Sequence, residues 1–230
     1  MVTSKTTIDL TPLWLTLQLS AVTVALLFII ATPIAWWLAH TRSRLKITIE
    51  AVTALPLVLP PTVLGFYLLV FLGPNGPAGQ LWTDLFGQHL AFSFTGLVIA
   101  SCIYSLPFVV QPLQTAFEGI NRQVIEASWT LGASRLRTFI MVVIPQVRRG
   151  ALMAAVLGFA HTMGEFGVVL MVGGNIPGET QVISIAVFEQ VETLNFAAAH
   201  QLSAGLLVFS FVVLFMVYAV NRNWNTGMRT

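Results

Sequence analysis

The sequence has very little charge. Asp, Glu, Lys and Arg together make up 9% of the 230 residues, whereas about 25% is typical of soluble domains. Hydrophobic residues make up 56%, and the mean hydropathy is +0.83. This composition excludes an ordinary soluble domain, and the small net charge of +2 gives no reason to expect nucleic acid as a partner. It is typical of a chain that crosses a membrane several times.

Cysteine and the common catalytic motifs are also scarce. The single cysteine, Cys102, lies in an apolar run, so it can form neither an internal disulfide nor a paired-cysteine metal site. No lysine follows a glycine, so the G-x-x-x-x-G-K-[ST] loop that binds ATP phosphates is missing. Ser/His/Asp and metal-ligand groupings with credible spacing are missing too. We therefore expect no catalytic, cofactor or metal site, and no enzyme activity of the chain itself.

Long apolar runs are what the sequence has in abundance. Five of them stand out, at Leu13–Ala39, Ile47–Leu72, Phe94–Phe117, Gly150–Val172 and Ala198–Val220. They lack the alternation of strands, and only helices satisfy their own backbone groups in lipid. The first run is too long for the core of a signal peptide, so we interpret it as a retained span. The sequence predicts an all-α integral membrane protein with about five transmembrane helices in a single domain, residues 1–230.

Basic residues predict how these spans are oriented. Ten of the eleven follow the first, third or fifth run: Arg42, Arg44, Lys46, Arg122, Arg135, Arg137, Arg148, Arg149, Arg222 and Arg229. Only Lys5 lies on the other side, and segments 73–93 and 173–197 contain no Lys or Arg. Because cytoplasmic loops concentrate these residues, we predict an N-terminus outside and a C-terminus in the cytoplasm. All the basic residues fall outside the predicted spans, so no deep cationic site is expected.

Two of the apolar runs contain unusual residues. The second carries Pro56, Pro60 and Pro61, which kink or break a helix; a kink for packing and a pathway lining both remain open. The fourth contains Glu165, and an ionisable residue inside a span suggests a functional site. His161 precedes it by one helical turn, which allows pairing of the two side chains or hydrogen bonding to other partners. The outer segment 73–93 mixes turn residues with Trp82, Leu85 and Phe86, which predicts a short interfacial helix.

The stretch EASWTLGASRLRTFIMVVIP, residues 126–145, is polar between two apolar runs. Helical spacing of its apolar residues predicts a short amphipathic helix from about Gln123. Gly132 is placed to end that helix in a left-handed conformation, and Ser134 can cap the next one. From the residues alone, an interfacial connector and a rigid element that transmits force from a soluble partner both remain open.

The same stretch resembles the EAA motif of ABC-importer permeases, written E-A-A, three residues, G, nine residues, I-x-L-P. The match runs from Glu126-Ala127-Ser128 through Gly132 to Val142-Val143-Ile144-Pro145, with Ser128, Val142 and Ile144 departing conservatively. In that family the short helix is the coupling helix, which sits in a groove of a cytoplasmic ATPase. The resemblance implies a coupling loop at about 118–149. Its implied coupling residues are Glu126, Ala127, Ser128, Gly132, Arg135 and Pro145.

Other stretches resemble the molybdate branch of these permeases. They are LPLVLPPTVLGFYLLVFLG, DLFGQHLAFSFTGLVIAS, SLPFVVQPLQTAFEGIN, FAHTMGEFG and NIPGET. From these stretches we predict a translocation pathway formed by Pro60, Pro61, Ser105, Pro107, Glu165 and Phe166. His161 departs from the pattern, since molybdate-type relatives usually place Arg before GEFG.

The resemblance implies the binding-protein-dependent (MetI-like) permease fold in a cell (inner) membrane. It also implies a homodimer, two copies of a cytoplasmic ABC ATPase and an extracytoplasmic oxyanion-binding protein. The function that it implies is ATP-driven import of an oxyanion, with molybdate favoured over sulfate, thiosulfate or tungstate. An alternative of another class is a proton-coupled secondary transporter that uses Glu165, and a third is a membrane scaffold.

Overall fold

The computed structural model describes residues 9–226, with side chains for residues 9–219. Three of the basic residues used to predict the orientation are not covered: Lys5, Arg229 and the side chain of Arg222 lie outside the described part. All regular secondary structure within residues 9–226 is helical. The helices are α1 Thr11–His40, α2 Leu45–Val58, α3 Pro61–Leu72, α4 Pro77–Phe86, α5 Phe94–Glu118, α6 Arg122–Thr130, α7 Arg135–Thr138, α8 Ile144–Met163, α9 Gly167–Gly173, α10 Ile183–Glu192 and α11 Phe196–Thr226.

Three predicted spans are confirmed as single long helices. They are α1, α5 and α11, and each is long and apolar enough to cross a membrane. The short helix predicted in segment 73–93 is also present, as α4. It ends at Gly87, whose φ of 69° is the left-handed conformation that glycine adopts most easily.

The second predicted span is two helices that meet at 112°. Leu59 and Pro60 are extended between them, and Pro61 begins α3. Pro61 restricts Pro60 to extended backbone, while proline is well tolerated at the first position of a helix, where no partner for its nitrogen is needed. With this bent pair counted as one span, the described residues contain five spans, as predicted.

The fourth span is longer at its start, and ends earlier, than the apolar run Gly150–Val172. It runs from Arg135 to Met163, and its start agrees with the helix predicted to follow the Ser134 cap. It runs through α7, a π-helical turn at Phe139–Val143 and α8. Pro145 lies near the start of α8, directly after this π turn, and π turns accommodate such a local break in the ladder of hydrogen bonds. Arg148 and Arg149 therefore lie inside the helix, not in the loop predicted to reach residue 149.

Helix α5 lies at the centre of the bundle. In its most apolar 18 residues, 56% are buried, compared with none in α11. Helix α5 can approach α8 closely because residue 158 of α8 is a glycine. A Cβ built on Gly158 would lie 2.7 Å from Val109 Cγ2 on α5. Small residues let membrane helices pack at short distance. The side chains on the α8-facing side of α5 therefore pack closely against α8, whereas α11 lies at the periphery of the bundle.

Charged residues collect at the end of the bundle where α1 and α5 terminate. Lys46 Nζ lies 3.7 Å from a Glu50 carboxylate oxygen and 3.5 Å from one of Glu118. The Gln114 amide donates to both carboxylates, at 2.8 and 3.0 Å. These contacts join α2 to α5 at the end that also carries α6, which is the side predicted to be cytoplasmic.

Thiol labelling checks the predicted orientation. In a Cys102→Ala background, single cysteines at Asn75 and Glu179 are expected to react in intact cells with an impermeant thiol reagent applied outside. Cysteines at Ser134 and Thr226 are expected to react only after the membrane is permeabilised. Labelling of the last two in intact cells would overturn the orientation.

Candidate coupling and translocation sites

The predicted coupling helix is α6, and its boundaries follow from local hydrogen bonds. The Asn121 side chain accepts a hydrogen bond from the Gln123 amide at 2.9 Å and caps the first turn. Within the helix, Arg122 Nε donates to a Glu126 carboxylate oxygen at 3.0 Å. Both side chains are exposed, so this pair contributes little to stability and both groups are accessible to a partner.

The turn after α6 has the predicted geometry. Gly132 adopts a φ of 82°, in the left-handed region. The Ser134 hydroxyl then accepts from the Arg137 amide at 3.3 Å and caps α7. The helix, its left-handed end and the following cap are thus confirmed, while the coupling role of these residues stays a prediction.

Two contacts hold α6 against the spans. Ile125 is 5% exposed and belongs to the apolar core with Trp36, Phe117 and Phe139 around it. The Ser128 hydroxyl lies 2.8 Å from the hydroxyl of Thr138, which is buried at the start of the next span. These two contacts connect α6 to the helix that begins at Arg135 and to the core of the spans.

The outer face of this segment is exposed and partly apolar. Leu131 is 88% exposed and Leu136 is 69% exposed, and Ala127 is also exposed. A crevice of about 550 Å³ lies beside them, with Glu126 and Arg135 among its lining residues. Exposed apolar residues grouped among polar ones mark interaction surfaces. Pro145 is exposed as well, but it does not line this crevice.

The two interrupted spans meet at a cavity that contains polar side chains and is open to the surface of the chain at Pro61, Thr62 and Gly164. A Cβ built on Gly167, at the start of α9, would lie 2.8 Å from Pro61 Cβ, so the break before α3 packs directly on the break before α9. Broken helices in membrane proteins occur where their backbone lines a cavity. This cavity has a volume of about 330 Å³ and is lined by Pro61, Thr62, Tyr104, His161, Gly164, Glu165, Phe166 and Gly167.

Glu165 and His161 each bind a serine of α5 instead of each other. Ser101 donates to Glu165 Oε2 at 2.8 Å, and Ser105 lies 2.9 Å from His161 Nδ1. The helix ends at Met163 and is capped by Gly164, so the spacing of one turn that suggested direct pairing does not extend to Glu165. The break is held from α10 too, because the Ser184 hydroxyl donates to the Glu165 carbonyl at 2.6 Å. Of the two arrangements expected for this bend, the structure therefore has hydrogen bonds to other partners and not direct pairing of Glu165 with His161.

The cavity includes only some of the predicted pathway residues. Pro61, Glu165 and Phe166 line it, and Ser105 joins it through His161. Pro60 and Pro107 do not line it. The sequence did not indicate that Thr62, Tyr104 and His161 line the cavity. It also did not indicate that Ser101 bonds to Glu165. The one available signal was the spacing of Ser101 and Ser105, which puts two hydroxyls on one face of α5.

Metal ligands do not gather at this cavity or elsewhere in the described part of the chain. No group of three or more His, Cys, Asp or Glu side chains is placed there to hold an ion. The polar groups of the cavity are hydroxyls, one imidazole and one carboxyl, which can donate and accept hydrogen bonds.

Comparison with known families defines the class of protein. Residues 31–226 match the model of the family described as binding-protein-dependent transport system inner membrane component. The match covers most of the chain, and the chain belongs to this family of inner membrane transport proteins.

Individual relatives narrow the comparison. The chain is 58% identical to the "Molybdenum transport system permease protein ModB" of Azotobacter vinelandii, over 96% of this chain and 97% of the relative. It is 35% identical to the protein of the same description from Escherichia coli K12, over 90% of each chain. A "Sulfate transport system permease protein CysT" from Synechocystis is 32% identical, over 82% of this chain and 66% of the relative.

Solved structures share the fold. The chain superposes on the MetNI methionine ABC transporter with a TM-score of 0.73 and 18% identity, covering 97% of this chain and 99% of that one. A bacterial ABC transporter involved in the import of alginate gives a TM-score of 0.76 with 15% identity, covering 95% and 80%. These likenesses confirm the predicted permease fold.

Proposed function

We propose that this chain is the membrane-spanning permease subunit of an ATP-driven importer of molybdate. The observation that carries the proposal is the 58% identity to a molybdenum transport permease over 96% of the chain. The sulfate permease compared above is 32% identical over a shorter part of the chain. Sulfate is therefore the second candidate among tetrahedral oxyanions.

The proposed assembly contains two copies of this chain, two cytoplasmic ATPase subunits and an external binding protein. The family description itself names a binding protein and an inner membrane component. Because the chain has no phosphate-binding loop, ATP hydrolysis belongs to another subunit. The apolar surfaces of α3 and α11, with Phe66, Tyr67 and Phe211 at least half exposed, would face lipid or the second copy of the chain.

Coupling would begin at the surface of α6. A groove on the ATPase would receive the face that carries Ala127 and Leu131, and the Glu126 carboxylate would meet a basic group there. Because Ser128 is bonded to Thr138, movement of the ATPase would rotate the span that begins at Arg135 as a rigid body. That span ends at the cavity, where it positions His161 and the Glu165 break.

Reconstitution tests the proposal. Proteoliposomes that contain this chain, its ATPase and the loaded binding protein should accumulate molybdate only when ATP is present on the ATPase side. The ATPase should co-purify with the chain. Uptake driven by a proton gradient in vesicles that lack the ATPase would instead establish the secondary-transporter alternative. An excess of sulfate that abolishes uptake would place this chain with the sulfate permeases.

A further inference from the structure

A long groove lies between α8 and α11. It has a volume of about 460 Å³. Its lining residues on α8 lie between positions 152 and 164, those on α11 lie between 206 and 217, and Ala21 and Val24 of α1 add to them. Ser210 has the one polar side chain among the described residues that line it, so the groove fits a hydrocarbon ligand.

The groove exists because α11 does not pack closely against α8. Between positions 200 and 219, where every side chain is described, none is buried. The α8 residues that line the groove include Ala155, Ala160 and Gly164, which are too small to reach across to α11. An apolar cavity stays free of water, and the hydrocarbon that a bilayer has available to fill it is lipid.

The size of the groove selects a single acyl chain. At about 1.5 Å per residue, its lining on α8 is about 18 Å long, so a volume of about 460 Å³ corresponds to a cross-section of about 25 Å². An α-helix with its side chains is about 10 Å wide, which corresponds to about 80 Å². A helix of a second copy of the chain is therefore too wide to enter, whereas an extended hydrocarbon chain fits.

The groove also has the length and the position of one leaflet of the bilayer. The hydrocarbon core of a bilayer is about 30 Å thick, so each leaflet contributes about 15 Å. The apolar run Gly150–Val172 begins just before the first lining residue of α8, and Gly164 lies near the middle of that run. The groove therefore extends from the side predicted to be cytoplasmic to about the centre of the membrane.

Two arginines lie at the cytoplasmic end of the groove. Arg148 and Arg149 are exposed and lie four and three residues before Leu152, which places them on the same face of α8. Guanidinium groups bind phosphate in a bidentate manner. Each has five N–H donors, so it can bind a phosphate while it contacts another group. Basic groups between transmembrane helices on the cytoplasmic side are typical of sites for anionic lipid headgroups.

We propose that this groove binds a phospholipid of the cytoplasmic leaflet, with one acyl chain between α8 and α11 and an anionic phosphate headgroup on Arg148 and Arg149. The lipid fills the space that α11 leaves against α8, and its chain end reaches Gly164, beside the break at Glu165. The inference goes beyond the proposed transport function and does not depend on it.

The test is lipid retention by the purified protein in its native assembly, reconstituted in bilayers of phosphatidylcholine and phosphatidylglycerol in equal amounts and then transferred to a mild detergent. Native mass spectrometry counts the lipids and the protein copies that stay together. The unaltered protein should retain a phosphatidylglycerol for each copy of the chain. Ala155→Phe fills the groove and should lower this retention at least about tenfold. Ala204→Phe, at an exposed position of α11 outside the groove, should not change it.

A second variant tests the headgroup contact. Arg148→Gln combined with Arg149→Gln changes two exposed residues, so it should fold even if Ala155→Phe does not. It should retain phosphatidylcholine and phosphatidylglycerol equally, because the attraction between guanidinium and the anionic headgroup is lost. Arg44→Gln, at another exposed arginine of the same side, should keep the preference for phosphatidylglycerol.

Three results would overturn the inference. The first is an unaltered protein that retains no phosphatidylglycerol, or an Ala155→Phe protein that retains as much as the unaltered one. The second is an unchanged preference for phosphatidylglycerol in the double arginine variant. The third is loss of the second protein copy, instead of the lipid, from Ala155→Phe, since the groove would then be an interface between copies.

Discussion

Gly132→Asp is expected to give a membrane-inserted protein that binds its ATPase poorly or fails to couple hydrolysis to transport. Gly132 has a φ of 82°, where a side chain costs about 1 kcal/mol or more. Nothing lies within 4 Å of a Cβ built there, so no internal clash adds to this cost. The added side chain would occupy open space at the end of α6, where the proposed ATPase groove would be crowded by it.

The measurement is ATPase activity in proteoliposomes with and without the loaded binding protein. Stimulation by that protein should fall at least about tenfold in Gly132→Asp, which corresponds to about 1.4 kcal/mol of lost coupling. Gly87→Asp is the matched control: Gly87 is left-handed too, with a φ of 69° and open surroundings, but it ends the outer helix α4. If Gly132→Asp assembles, couples and transports like Gly87→Asp, residues 126–145 are only a connector.

Glu165→Gln is expected to lower molybdate uptake about tenfold at neutral pH while the complex still assembles. The amide oxygen can still accept from Ser101, which preserves the link between α5 and the break after α8. Oε1 has no hydrogen-bond partner among the described residues, so the substitution places new N–H donors beside the cavity.

Two variants test the length of this side chain and the specificity of the effect. Glu165→Asp keeps the carboxyl group but shortens the side chain, so it should lose the Ser101 contact and lower uptake at least as much. Glu118→Gln changes an exposed carboxylate at the other end of α5 and should have little effect. Uptake and expression of Glu165→Gln that match those of the unaltered protein would reduce Glu165 to a structural residue.

Local sequence determined the spans and the turn at Gly132. A run such as Leu13–Ala39 has one stable arrangement in lipid, because its backbone groups must bond within the segment. The turn at Gly132 was predictable for a similar reason: the left-handed end of a helix and the Ser134 cap depend on residues within a few positions.

Boundaries at unusual residues were less predictable. The fourth apolar run starts at Gly150, after Pro145 and the arginine pair 148–149, yet the helix that follows the Ser134 cap continues through these residues with a π turn. Hydropathy describes composition along the chain, and it does not report whether a helix is continuous. The prolines of the second run predicted a break, but the angle of 112° depends on how α3 packs against α9.

Only the tertiary structure decided which polar groups meet. The sequence placed Glu165 and His161 one turn apart, but whether they pair depends on the helix continuing through Gly164, and it does not. Their partners Ser101 and Ser105 lie 64 and 56 residues earlier in the chain. Such contacts are determined by the packing of α5 against α8, which follows from the shapes of many side chains together. The sequence therefore determined that a polar group lies inside the membrane, and the packing decided what it binds.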